Sequence, residues 1–197
     1  MKLNALVAAP AVAVLATALA NAGSGLPAGW LQTGKATSCH AGVASVSGGP
    51  TPKVFSLSCD LGTASFSTAM QQIRADDYAG KRVRLSASVQ GEALAQWGGL
   101  WMRADTASNR SVAFDNMQER PLKGSFAWRE AQVVLDIPAE ARVLSFGFLV
   151  NGAGELRATQ FKLEVVPGTV AVTDIARADV DRRSPPLPSQ ALNMSPP

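Results

Sequence analysis

The side chains best suited to binding chemistry lie in one window of the sequence, between Trp97 and Trp128. Alternation along an extended strand places Trp97, Trp101 and Arg103 on the same face. A polar stretch follows, and it supplies hydrogen-bonding groups at Asp115, Asn116, Gln118 and Arg120. Aromatic rings stack on the apolar faces of sugars, while guanidinium, amide and carboxylate groups hydrogen-bond to hydroxyls. The pattern therefore predicts a saccharide-binding surface built from these seven residues.

A second interpretation of the same window is structural. Large aromatic side chains dominate the interiors of β-sandwiches, so Trp97 and Trp101 also fit core positions. Asp115 and Asn116 would then make turn hydrogen bonds only. Trp128 is expected in the core under both interpretations. The exposure of the two indoles at 97 and 101 decides between them.

Residues for catalysis or metal binding are sparse in this sequence. His40 is the single histidine, no G-x-S-x-G motif occurs, and a His-rich metal site is impossible. Glycoside hydrolysis needs two carboxylates across a cleft, and the sequence alone does not place any two of its acidic residues in that arrangement. We therefore expect a non-catalytic protein with no metal and no cofactor, and a hydrolase is the less favoured alternative.

Charge and composition narrow the possible partners. The formal net charge is +3 and the pI about 9.1, with 47% hydrophobic and 17% charged residues. No cluster of Lys and Arg stands beside aromatic residues, so nucleic-acid binding is not expected. The apolar content is sufficient for one well-packed domain.

The first 22 residues have the three parts of a secretory signal peptide. Lys2 precedes an apolar run over 3–20, and two small-x-small sites lie at its end, at 18–20 and 20–22. We expect cleavage before Asn21 or Gly23, a periplasmic or secreted protein, and no membrane span after cleavage. The alternative is a retained membrane anchor, since the run is just long enough to span a bilayer.

Two cysteines fit an exported chain. Cys39 and Cys59 lie ten positions either side of Gly49, within a Gly-Gly-Pro turn between two short apolar runs. In a hairpin centred there, the two cysteines face each other and form a disulfide. The alternative is a pair of free, buried thiols.

The rest of the chain is a succession of strand-length runs. The clearest is the alternation from Val83 to Val89, and further runs are expected at the positions 43–46, 54–57, 64–70, 98–103, 111–115, 130–137, 143–150 and 161–166. The fold class predicted is an all-β, jelly-roll-like antiparallel β-sandwich over 23–166. A Pro-rich, flexible tail is expected over 167–197.

Four segments carry a resemblance to a known family: IRADDYAGKRVRLSASVQ, WGGLWMRAD, AFDNMQERPLKG and FGFLVNGAGELRATQFKLEVV. Together they resemble bacterial exported modules of unknown function with a jelly-roll, galactose-binding-like and carbohydrate-binding-module-like sandwich. The likeness covers roughly 26–166 and implies the fold rather than an activity. It departs at 156–160, where such modules carry an aromatic and paired aspartates, so a structural calcium is not expected here.

These observations predict an exported, non-catalytic binding module whose partner is a saccharide or another component of the cell envelope. The alternative is a sensory, regulatory or protein-interaction module that binds a protein partner, for instance through a sheet edge.

Overall fold

The computed structural model describes residues 25–173, 190–191 and 194–195. The predicted signal peptide, its cleavage site and most of the predicted tail lie outside these residues. Within them are nine strands and no helix. Their bounds are β1 Leu31–Gly34, β2 Cys39–Ser45, β3 Lys53–Cys59, β4 Phe66–Arg74, β5 Arg82–Asp105, β6 Ser111–Asp115, β7 Leu122–Asp136, β8 Val143–Asn151 and β9 Gly154–Val165.

The strands form two facing antiparallel layers that share β5. The second half of β5 pairs with β8 and β6, and the layer continues through β4 to β1. We call this the front layer (β1, β4, β8, β5, β6). The first half of β5 pairs with β9 and β7, and the back layer continues through β3 to β2. This is a jelly-roll-like antiparallel β-sandwich, and the predicted fold class is confirmed.

The length of β5 was not anticipated from the sequence. It runs for 24 residues through both layers, whereas the sequence indicates two separate strands. Its pairing register with β7 shifts three times between Val89 and Gly98, and Ala93 has a positive φ of 51°. Register shifts of this kind bend a strand and increase its twist. The bend lets one strand pass from the back layer to the front layer.

Aromatic rings fill the core between the layers. Trp30 lies 4.4 Å from Phe55 and 5.1 Å from Phe161 between ring centroids, and Phe148 completes the cluster. Trp128, expected in the core, is instead half-buried and lies near Gly49. Among the described strands, its strand β7 pairs only with β5, so less of its surface is covered. Trp30 is the fully enclosed tryptophan of the core.

The cysteine hairpin is confirmed. Cys39 pairs directly with Cys59 in the β2–β3 register, with the two Cα atoms 4.1 Å apart and a disulfide between the sulfurs. The register is symmetric about Gly49, with Ser45 opposite Lys53. In the described part of the chain, no helix is long and apolar enough to cross a membrane.

The described start of the predicted tail lies against the back layer. Thr173 donates its backbone N–H to the carbonyl of Val134 at 2.7 Å, and Arg82 donates to the carbonyl of Gly168. The two short stretches near the C-terminus include Ala191 and Met194, which are half-buried against the core.

Candidate ligand-binding cleft

The outer face of the front layer carries the candidate site, which is a cleft between its side chains. Along β5, alternate residues point to the core or outward, and the pairing with β8 sets Trp97 opposite Asn151, Trp101 opposite Gly147 and Arg103 opposite Ser145. The outward set is the one that alternation in the sequence indicated. It forms one wall of a cleft of about 630 Å³.

The cleft has an apolar floor and a polar rim. Its apolar lining comes from five strands and consists of Leu31, Phe66, Met70, Trp97, Trp101, Phe114 and Leu149. Its polar lining consists of Thr33, Lys35, Thr68, Gln72, Arg103, Asp105, Asn109, Asn116, Gln118 and Asn151. Apolar side chains combined with converging polar groups are typical of small-molecule sites.

Trp101 forms the floor of the cleft. Its indole Nε1–H donates to Thr68 Oγ1 on β4 at 2.6 Å, and that hydroxyl donates to the carbonyl of Phe148 at 2.8 Å. β4 and β5 are separated by β8, a span of two strand spacings or about 9.5 Å. The indole therefore lies across β8 at the level of Gly147, which has no side chain to obstruct it. With 7% of its surface exposed, Trp101 is a fixed base for the cleft rather than a mobile contact.

Trp97 lies at one end of the cleft and is half-buried. It packs on a small apolar cluster separate from the main core, formed around Met70, Trp101 and Leu149. Neither Trp97 nor Trp101 belongs to the core between the layers. Part of the indole surface at Trp97 remains open to solvent, which the structural interpretation of this window did not anticipate.

Arg103 lies toward the opposite end of the cleft. Its Nε donates to Asp105 Oδ2 at 2.8 Å, and the two side chains are 17% and 6% exposed. The terminal guanidinium nitrogens of Arg103 make no hydrogen bond within the described residues. The ion pair therefore fixes the guanidinium while leaving donors available to a ligand in the cleft.

The loop after β6 brings Asn116 and Gln118 to the rim. Asn116 Oδ1 accepts the backbone N–H of Gln118 at 3.1 Å, and Met117 between them has a positive φ of 63°. Gly99 makes room for this loop, because a Cβ there would lie 2.9 Å from the Cβ of Met117.

Asp115 and Arg120 are not brought into the cleft lining. The Asp115 side chain is fully buried and forms an ion pair with Arg120. Asp115 Oδ1 also accepts the backbone N–H of Met117 at 2.8 Å, and Arg120 donates to the carbonyl of Gln132. This pair anchors both ends of the rim loop. Of the seven residues singled out from the sequence, the cleft thus gathers five: Trp97, Trp101, Arg103, Asn116 and Gln118.

Several lining residues escape sequence reasoning because they come from other strands. Phe66, Thr68 and Met70 lie on β4, Leu31 on β1 and Phe114 on β6. The alternation at 66–70 was a usable signal, since it marks one face of a strand. It does not say whether that face meets the core or the solvent.

Among the described residues, the groups whose pKa is shifted lie outside the cleft lining. The pKa of the Asp136 carboxyl is lowered because Arg82 donates hydrogen bonds to it, and burial raises the pKa of Tyr78. Among the described residues, no three His, Cys, Asp or Glu side chains come close enough to hold a metal ion.

Comparison with known proteins gives one sequence relative. The chain is 38% identical over 116 residues to the uncharacterized HTH-type transcriptional regulator YbfP of Bacillus subtilis. The match covers 59% of this chain but 39% of that protein, so the chain spans about two fifths of its length. No protein-family model matches the chain.

Solved structures resemble the fold at low sequence identity. A family 22 carbohydrate-binding module of Clostridium thermocellum Xyn10B superposes with a TM-score of 0.54 and 12% identity, covering 75% of this chain and 92% of the module. A xylan-binding family 22 module of Paenibacillus barcinonensis Xyn10C gives 0.51, with 75% and 90% covered. The tailspike protein 4 enzymatic domain of bacteriophage CBA120 gives 0.57, with 21% of that chain covered. The fold is therefore that of carbohydrate-binding modules.

Proposed function

We propose that this protein is an exported, non-catalytic module that binds a saccharide or a similar component of the cell envelope in the front-layer cleft. The observation that carries the proposal is the arrangement of Trp97 and Trp101 on the outer face, with Arg103, Asn116 and Gln118 at the rim. A half-exposed indole offers a flat apolar surface for a sugar ring, and the rim supplies hydrogen-bonding groups for its hydroxyls.

The acidic groups of the cleft support a binding role over a hydrolytic one. Among the described lining residues, Asp105 is the single carboxylate, and it is engaged by Arg103. Glycoside hydrolysis requires two carboxyl groups on either side of the scissile bond. Asp115, the other acidic residue singled out from the sequence, is buried behind the rim loop.

The disulfide supports export. Such bonds persist in oxidising compartments and are rare in reducing ones. A family 22 carbohydrate-binding module with a similar fold has a cleft whose amino acids have a role in ligand binding. This supports a ligand in the cleft of the present protein.

The test is tryptophan fluorescence titrated with a panel of soluble glycans. We expect at least one glycan to change the emission of the native protein, and Trp97→Ala to weaken its binding at least about tenfold, which corresponds to roughly 1.4 kcal/mol. Trp128→Ala is the matched control, because that indole is also half-buried but lies on the back layer. Equal losses in both variants, or no response to any glycan, would contradict the proposal.

The match to a transcriptional regulator favours a second candidate, a sensory or interaction module that binds a protein. Its signature would be a protein partner from envelope extract that is retained by Trp97→Ala. Loss of that partner with Trp97→Ala, together with glycan binding, would instead favour the cleft proposal.

A further inference from the structure

The cations of the cleft lie at its two ends. Lys35 follows β1 and is exposed, and its backbone N–H bonds to the carbonyl of Phe66. Phe66 pairs with Asn151, which pairs in turn with Trp97, so Lys35 lies at the Trp97 end. Arg103 lies six residues further along β5.

The separation of these two cations follows from strand geometry. Lys35 and Arg103 are about three strand spacings apart across the sheet, roughly 14 Å, and six residues apart along it, roughly 20 Å. The backbone separation is thus on the order of 25 Å, which is too long for one small anion to contact both. The surface between them carries the indoles of Trp97 and Trp101.

The charge balance of the cleft is positive. Its charged lining within the described residues is Lys35, Arg103 and Asp105, a formal sum of +1. Lys35 makes no ion pair with a described residue. Arg103 donates its Nε–H to Asp105, so its two terminal nitrogens remain as a planar pair of donors. A planar pair of N–H donors matches the two oxygens of a carboxylate.

Building on the proposed function, we propose that the ligand is an acidic polysaccharide whose chain carries carboxylated sugars. One carboxylate pairs with the fork of Arg103 and another lies near Lys35, while the intervening sugars cover Trp97 and Trp101. Several linked sugars fit this arrangement because the backbones that carry the two cations are on the order of 25 Å apart, which is longer than one sugar. A carboxylate fits because its two oxygens match the planar fork at Arg103, and because the described lining carries one surplus positive charge.

The test compares polymers that differ in charge and share a backbone. One pair is polygalacturonate and its fully methyl-esterified form; the second is glucuronoxylan and its carboxyl-reduced form. We expect the acid form of at least one pair to bind about tenfold tighter than its neutral form at low salt, with the advantage shrinking as salt is raised.

Two variants assign this preference to the named residues. Lys35→Gln should lower affinity for the acid form about two- to fivefold, as expected for an exposed charge pair, and lower affinity for the neutral form by a smaller factor. Arg103→Lys keeps the charge opposite Asp105 but removes the fork, and it should lower acid-form affinity about tenfold. A preference that survives both variants would contradict the assignment.

The outcomes separate this inference from the proposed function. Neutral and acid forms bound equally, with both weakened by Trp97→Ala, would overturn the acidic ligand and leave the saccharide cleft standing. Free galacturonic acid bound as tightly as its polymer would overturn the two-ended arrangement. If none of the four polymers binds, this inference is wrong. The fluorescence titration with the panel of soluble glycans then decides the proposed function separately.

Discussion

The ion pair between Asp115 and Arg120 predicts that replacing Arg120 costs more stability than replacing Asp115. The reason is that Asp115 is more deeply buried than Arg120. Asp115 is fully enclosed, whereas the Arg120 side chain is 36% exposed. Arg120→Met leaves a buried carboxylate with one backbone donor, the N–H of Met117. Removing one partner of a buried pair costs about 3–5 kcal/mol, and access of water to the Arg120 side lowers this to about 2–3 kcal/mol.

Asp115→Asn is expected to cost less, about 1–2 kcal/mol, because its amide oxygen still accepts from Met117 while Arg120 keeps water and the carbonyl of Gln132. The double variant D115N/R120M should cost less than the sum of the single variants by about 1–2 kcal/mol.

Urea unfolding measures these differences directly. We assume that the free energy of unfolding falls by about 2 kcal/mol per molar urea. Arg120→Met should then lower the urea midpoint of unfolding by roughly 1 M, and Asp115→Asn should lower it by about half as much. Both should also weaken glycan binding through displacement of Asn116 and Gln118. Costs that are equal, reversed in order or strictly additive would refute the view that this pair anchors the rim loop.

Four further predictions concern stability and local structure. Reducing the disulfide or replacing both Cys39 and Cys59 by Ser should cost about 3 kcal/mol on the chain-entropy model for a loop of about 20 residues, measured by urea unfolding; an unchanged midpoint would count against it. Thr68→Val removes the acceptor of the Trp101 indole N–H and should cost about 1–3 kcal/mol, with the buried control Ser67→Ala costing less. Gly147→Ala should destabilise the front layer strongly, because its Cβ would lie 2.1 Å from the carbonyl oxygen of Ala69; a thermal midpoint equal to wild type would contradict this. The pKa of Asp136 is lower in the folded protein than in the unfolded chain. Its ionised carboxylate therefore stabilises the fold fully at pH values above the pKa of the unfolded chain, and this stabilisation is lost as the pH falls through the pKa of the folded protein. Asp136→Asn should therefore flatten the acid limb of the stability curve below about pH 4, and an unchanged limb would exclude this contribution.

Local symmetry explains why part of the fold is predictable from the sequence. The hairpin of Cys39 and Cys59 needs only a turn at Gly49 and equal arm lengths, so the register follows from counting residues. The face shared by Trp97, Trp101 and Arg103 follows from alternation in the same way.

Long-range pairing explains what the sequence does not give. The continuity of β5 depends on the bend at Ala93, which is held by partners in both layers. The cleft joins β1, β4 and β6 to β5, and no local pattern says that Phe66 or Leu31 meets Trp97. In the sequence, Asp115 has the polar neighbours that are typical of an exposed loop residue. Its carboxylate is nevertheless buried, because it accepts the Met117 backbone N–H and forms an ion pair with Arg120.

The most direct test of a ligand cleft on the front layer uses the indole N–H resonances of the four tryptophans. Trp97 and Trp101 line the cleft, Trp30 is in the core and Trp128 is on the back layer. During titration with a bound glycan in a two-dimensional ¹H–¹⁵N spectrum, the resonances of Trp97 and Trp101 should shift while those of Trp30 and Trp128 stay fixed. A shift confined to Trp128, or none at Trp97, would contradict binding in this cleft.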